Sequence, residues 1–186
     1  MSTPHTYFLQ FIRAFFHRPR KLVTKSDTIE PDEESVLNSC SSPHPSCLFC
    51  GVSKERGFSV VWENEVFAVF TDIDPASEHH LQLVPKHHIG KLSPLRDMVE
   101  IAHNILDGLA VPPHLRRIGF HIPPYISVPH LHMHIQALPY RSIFRKLKYP
   151  VVAGWSGREK GVSWFVDAEQ AVRILEKGSQ VRILPC

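Results

Sequence analysis

Val128 to Leu138 reads VPHLHMHIQAL, with histidines at 130, 132 and 134 separated by single apolar residues. On an extended chain, residues two apart point to the same side. His130, His132 and His134 are therefore expected to share one face of a strand, while Leu131, Met133 and Ile135 bury the other. Three imidazoles on one face admit two chemistries. They can hold a zinc ion, as three-histidine hydrolytic sites do. Alternatively, a neutral imidazole attacks phosphorus near neutral pH while its neighbours bind phosphate oxygens or donate protons. The spacing alone leaves both open, beside the plainer reading of a solvated face. A second group is Cys47 and Cys50 in CLFC. No secretory signal with a clean apolar core is read at the N-terminus, so this pair is expected to serve metal or redox chemistry in a reducing compartment.

Such side chains need a scaffold, and 186 residues at 43% apolar and 21% charged suit one soluble domain with tails. No apolar run approaches the roughly 18 residues of a membrane span. The net charge of +3 hides an uneven distribution, with five bases and no acid in residues 1–26 and five acids between Asp27 and Glu34. In residues 1–22 the stripe Tyr7, Phe8, Phe11, Ile12, Phe15 and Phe16 falls on one helical face. That basic amphipathic segment reads as a membrane-surface or mitochondrial targeting element, or as a helix packed on the domain. Residues 23–46 are polar and are expected to form a disordered linker that includes Cys40.

The folded domain is expected over 47–178, with a short tail at 179–186. Strands are predicted at 59–62, 66–72, 79–86, 116–122, along the histidine run, and at 162–166. The apolar spacing of Leu95, Met98, Ile101, Ala102, Ile105, Leu106 and Leu109 predicts a helix over 93–110, with Ser93 as N-cap and Pro94 at its first position. A second helix is predicted from Ala168, capped by Asp167 with Gln170 closing a capping box and Gly178 past its end. Together these make an α+β domain around an antiparallel sheet. The basic run 140–149 reads as a solvated face.

The stretches DIDPASEHHLQLVPKHHI (72–89) and GFHIPPYISVPHLHMHIQA (119–137) carry more than three histidines. With them the chain resembles the histidine-triad (HIT) superfamily, and more narrowly the third branch of histidine-triad nucleotide-binding proteins, from about Cys47 to Lys177. The resemblance implies a HIT-like antiparallel sheet with a helix between strands and a C-terminal helix. It implies a hydrolase that cleaves purine nucleoside 5′-phosphoramidates or acyl-adenylates to the nucleoside monophosphate through a nucleotidyl-histidine. His132 would be the nucleophile, and the His130 carbonyl would accept from its imidazole. His134 and Ser127 would contact phosphate, and His80 would support the proton inventory. Phe70, Asp72 and Ile73 would hold the nucleoside, with the Asp72 carboxylate on the ribose hydroxyls. His121 stands where the first branch has an asparagine, near phosphate or in the core.

The same comparison implies a structural zinc on Cys47, Cys50, His88 and His130, and no cofactor for the chemistry itself. The expected partners are a purine nucleotide conjugate and a second copy of the chain in a homodimer. The expected location is intracellular, in cytoplasm, nucleus or mitochondrion. Two other functions are weighed. An aprataxin-like enzyme that removes AMP from nucleic-acid ends would use the basic run 140–149, but nucleic acid is not the expected partner. A non-catalytic nucleotide-binding or scaffold protein would need no nucleophile, and His132 supplies one.

Overall fold

The computed structural model describes residues 47–88 and 93–186. The amphipathic segment, the linker with Cys40 and the capping role of the Ser93 side chain lie outside the described residues. Six strands form one sheet in the order β1-β2-β3-β5-β4-β6. They are β1 (Val60–Glu63), β2 (Phe67–Thr71), β3 (His80–Pro85), β4 (Arg116–His121), β5 (Met133–Ala137) and β6 (Phe165–Asp167), each antiparallel to its neighbours. Among the described residues three α-helices accompany them: α1 (Ser93–Gly108), the short α2 (Ile143–Leu147) and α3 (Ala168–Glu176). The expected α+β sheet, with one helix between strands and one at the C-terminal end, is what the chain forms. Among the described residues no helix is long and apolar enough to cross a membrane.

The two faces of the sheet are chemically unlike, because side chains alternate. Phe67, Val69, Leu81, Leu83, Ile118, Phe120, Met133 and Ile135 point to one side and meet α1 and α3 in the main core. On α1 that contact is made by Leu95, Met98, Ala102 and Leu106, spaced three and four apart and no more than 1% exposed. Burial of each large apolar side chain contributes roughly 1.5–3 kcal/mol. The opposite face carries Phe70, His80, Gln82, His134 and Gln136, with His80 registered across from Gln136 and Gln82 across from His134. Two small apolar clusters close this polar stripe at its ends, one around Phe49, Phe70 and Val84, the other around Ala76, Tyr149 and Phe165.

Several boundaries differ from those read in the sequence. The histidine run is a strand only from Met133, and the last registered pair with β3 is Leu83 with Met133. The main chain of His130 and His132 lies beyond the ladder, which frees the His130 carbonyl for another partner. The last strand is Phe165–Asp167 and not 162–166, since only those residues reach β4. It can lie there because Gly119 carries no Cβ: one would sit 2.2 Å from the Val166 oxygen and 2.7 Å from the Phe165 ring. The capping box forms as expected, with Asp167 accepting from Glu169 and Gln170 accepting from Asp167. The basic run contains α2, capped by Ser142. Residues 179–186, which had no assigned part, pack on the domain through Val181 in the core. The buried Lys160 helps hold them, donating to the carbonyls of Gly161, Ser163 and Ile183 at 2.8, 2.9 and 3.2 Å.

Candidate functional site

His132 lies just before β5, and its Nδ1 is 2.8 Å from the carbonyl oxygen of His130. A carbonyl only accepts, so Nδ1 carries the proton and Nε2 keeps its lone pair. Burial, opposed by the His130 carbonyl and by the Asp72 carboxylate, pushes the His132 pKa down from its ordinary value and keeps the ring neutral. A neutral imidazole with one nitrogen tied and the other free is a nucleophile already oriented. The Phe49 ring packs edge-on against it at 5.5 Å, and Phe49 in turn meets Phe70 at 5.5 Å.

Beside it runs a chain of three further imidazoles. The backbone N–H of Ala76 donates to His80 Nδ1 at 3.1 Å, so His80 must hold its proton on Nε2. His80 Nε2 lies 2.9 Å from His134 Nδ1, and His134 Nε2 lies 3.1 Å from His121 Nδ1. At the far end His121 Nε2 donates to the Lys148 carbonyl at 2.9 Å. With the Gln136 amide, 3.2 Å from His80 Nε2, presenting its oxygen to that N–H, a pure donor at one end and a pure acceptor at the other allow one assignment. Each ring is neutral and protonated on Nε2, donating toward Lys148. The pKa directions agree: burial lowers His80 to about 4 and depresses His121 and His134 as well. Asp72 closes the inner end, with Oδ2 accepting from Gln82 at 2.6 Å and standing 3.3 Å from His80 Nε2, and Oδ1 accepting from the Asp74 N–H at 2.8 Å.

A second cluster sits on the other side of His132. Ligand atoms of Cys47, Cys50, His88 and His130 all lie within 4.8 Å of one another. His130 donates from Nε2 to the Pro85 carbonyl at 2.8 Å, which leaves the Nδ1 lone pair facing Cys47 Sγ at 3.4 Å and Cys50 Sγ at 3.8 Å. Burial, with His88 nearby, lowers the His130 pKa to about 3. Two thiols and two imidazoles form a sound tetrahedral donor set for zinc, and a backbone acceptor on the far nitrogen is the usual support of a ligating histidine. These residues fit the ion. Asp72, His80 and His134 also bring three ligand atoms within 4.8 Å, but the Ala76 N–H on His80 Nδ1 forces a proton onto the nitrogen that would have to bind. That set suits a proton better than a cation.

The structure thus gathers His80, His121, His132, His134 and Asp72 in one group and Cys47, Cys50, His88 and His130 in another. Four residues stand differently from the reading of the sequence. His134, expected to contact phosphate, instead is buried with both ring nitrogens engaged, by His80 and His121. Asp72 turns inward and engages both carboxylate oxygens within the protein, because it follows Phe70 by two on the polar face. Ile73, one residue on, is 100% exposed and is not part of the core. Ser127 is exposed on the connection between β4 and β5. Gln82, Gln136 and Tyr149 belong to the site and were not singled out. The polar residues at alternate positions of β3 and β5 were a signal for the glutamines. Tyr149 was masked by its place in a basic run, though its ring packs on His80, His121 and His134 at 5.6, 5.1 and 5.3 Å.

Comparison with known proteins identifies relatives of the chain. The family described as scavenger mRNA decapping enzyme C-term binding matches residues 46–149. The chain is 35% identical over 145 residues to adenosine 5′-monophosphoramidase HINT3 of Danio rerio, spanning 72% of this chain and 84% of that protein. It is 32% identical over 143 residues to the bifunctional adenosine 5′-phosphosulfate phosphorylase/adenylylsulfatase HINT4 of Arabidopsis thaliana, spanning 71% and 90% of the two. A solved HIT family hydrolase from Legionella pneumophila aligns over 52% of this chain and 96% of its own at 23% identity, with a TM-score of 0.47. The chain belongs to the histidine-triad superfamily.

Proposed function

We propose that the chain is a nucleotide hydrolase that cleaves adenosine 5′-phosphoramidates, and related conjugates such as acyl-adenylates, to AMP. The observation that carries this reading is the tie from His132 Nδ1 to the His130 carbonyl, which leaves Nε2 free to attack. The relatives named adenosine 5′-monophosphoramidases support the substrate class. His132 Nε2 attacks the α-phosphorus, the bond from phosphorus to the leaving group breaks (P–N in a phosphoramidate, P–O in an acyl-adenylate), and a leaving amine takes up a proton from solvent by way of the Ser127 hydroxyl. The nucleotidyl-imidazolium so formed keeps its Nδ1–H on the His130 carbonyl and faces the negative field of Asp72. Water then attacks phosphorus and gives up one proton to solvent, the P–Nε2 bond breaks, AMP leaves, and the neutral imidazole is restored.

Ser127, on the connection that leads into the triad, is the group offered to phosphate or to the leaving amine. Phe70 with Phe49 supplies an aromatic wall, and the buried Gln82 Oε1, which has no partner among the described residues, is an acceptor for a substrate hydroxyl. Cys47, Cys50, His88 and His130 would hold a zinc ion whose part is structural, fixing the ring and main chain of His130 and with them the acceptor for His132. An end-processing activity on nucleic acid gains no support from the basic run, since Arg145 and Lys148 are paired with Asp74.

The test is release of AMP from adenosine 5′-phosphoramidate by the wild type and by His132→Ala, each with and without a strong chelator. Turnover by the wild type alone, with no early effect of the chelator, supports covalent histidine catalysis, and a slow loss after chelation supports a structural metal as well. Two inert proteins that both bind AMP would return the chain to the binding-protein reading.

A further inference from the structure

We propose that His121 is a positioning residue that acts through His134, accepting its Nε2–H and so locking that ring as the tautomer whose Nδ1 lone pair faces His80. The inference deepens the hydrolase reading above and rests on it only for its kinetic arm. The observations are geometric. His121 Nδ1 stands 3.1 Å from His134 Nε2, and the opposite nitrogen of His121 is anchored on the Lys148 carbonyl at 2.9 Å. Rotation of the ring is blocked by Tyr149 at 5.1 Å and by Phe165, edge-on at 5.2 Å. The Lys148 main chain follows α2, whose Arg145 and the Lys148 ammonium both pair with Asp74. Asp74 is two residues from Asp72, so the strap that fixes the outer end of the imidazole chain returns to its inner end.

Without an acceptor at 121, the buried Nε2–H of His134 has no partner on that side. The ring then regains one by moving its proton to Nδ1 or by turning over. Either change sets two N–H groups against each other across the 2.9 Å contact with His80, since Ala76 holds the His80 proton on Nε2. His134 must then shift, and its ring lies 5.2 Å from that of His132. The effect belongs to the reacting group and not to the pocket for the nucleoside, so it falls on kcat.

Three substitutions separate the contacts of His121. In His121→Asn the side-chain oxygen takes the place of Nδ1 and still accepts from His134, but the tie to Lys148 is lost. In His121→Gln the amide NH₂ takes the place of Nε2 and keeps the tie to Lys148, but the acceptor is lost. His121→Phe keeps only the ring volume. With adenosine 5′-phosphoramidate as substrate, the Gln and Phe variants are expected to lose roughly 10–100-fold in kcat, with KM changed by no more than about twofold. The Asn variant should recover most of the rate. Long-range ¹H–¹⁵N spectra of ¹⁵N-histidine-labelled full-length chain, with His134 assigned from His134→Gln, supply a second readout. They should show His134 as the Nε2–H tautomer in wild type and the Asn variant, and altered in the Phe variant. An active Gln variant beside a crippled Asn variant overturns the proposal in favour of the Lys148 tie. An active Phe variant, or an unchanged His134 tautomer in it, reduces His121 to packing. If the wild type itself fails to turn over, the hydrolase reading falls, while the spectra still decide the role of His121.

Discussion

Two histidine clusters flank His132, and they differ in what lies behind each ring. Behind His130 stands the carbonyl of Pro85, so the far nitrogen bears the proton and the near lone pair points at two sulfurs. Behind His80 stands the N–H of Ala76, so the far nitrogen bears the lone pair and the proton points inward at His134. The first arrangement is ready for a cation and the second already holds its protons. Residue types alone would have offered both sets as metal sites, because each converges within 4.8 Å. One main-chain atom on the remote side of each ring separates them.

The strongest way to break this comparison is at the residue between the clusters. His132→Ala should lower AMP release from adenosine 5′-phosphoramidate by about a thousandfold or more, while calorimetry finds AMP affinity little changed. A parallel loss of binding would show that the ring shapes the pocket and is not simply its nucleophile. Next in size is the metal half. Elemental analysis of purified wild type should find one zinc per chain, and the double variant Cys47→Ser, Cys50→Ser should retain none and unfold more easily by about 3 kcal/mol or more in the presence of zinc. A double variant that kept its zinc would remove the cluster from consideration.

The proton half is probed by acid. His80 titrates near 6.5 when unfolded and is lowered to about 4 in the fold, chiefly by burial. Between those values the unfolded chain binds more protons, so the free energy of unfolding declines as pH falls from 6.5 toward 4. Thermal unfolding temperatures should therefore drop between pH 7 and pH 5 even with zinc in excess, because the loss originates in the imidazole chain. A flat profile over that window would show that the rings are not held neutral. The smallest effect is expected at the strap. Asp74 is exposed and its pKa is lowered mainly by Arg145 and then Lys148, and ion pairs of that kind add little to stability. Asp74→Asn should leave the melting temperature almost unmoved.

Much of this architecture was legible from the chain. The strands read at 66–72 and 79–86, the three-and-four spacing of α1 and the Asp167–Gln170 capping box each followed from local rules. The four zinc-compatible residues and the His132 tie followed from resemblance to a family. The direction of the imidazole chain was not legible, because it depends on the Ala76 N–H and the Lys148 carbonyl, and every residue carries such groups whatever its side chain. The inward turn of Asp72 and the full exposure of Ile73 were hidden for a related reason. Both follow from where β2 ends, and a shift of one residue there exchanges the two faces. The start of β5 at Met133 was hidden because the same alternation continues through residues that have left the ladder.

The four groups that assign protons in these clusters are the carbonyls of Pro85, His130 and Lys148 and the N–H of Ala76. All are main chain. Replacement of any of those four side chains leaves its main-chain partner chemically intact, so an alanine scan passes over them in silence. Only Ala76→Pro deletes one outright, because proline has no N–H to give; the carbonyls yield to no coded residue. The two ends of the imidazole chain are therefore written in a layer that substitution scarcely edits, and side-chain replacement reaches the pattern only through the rings between them, His121 among them.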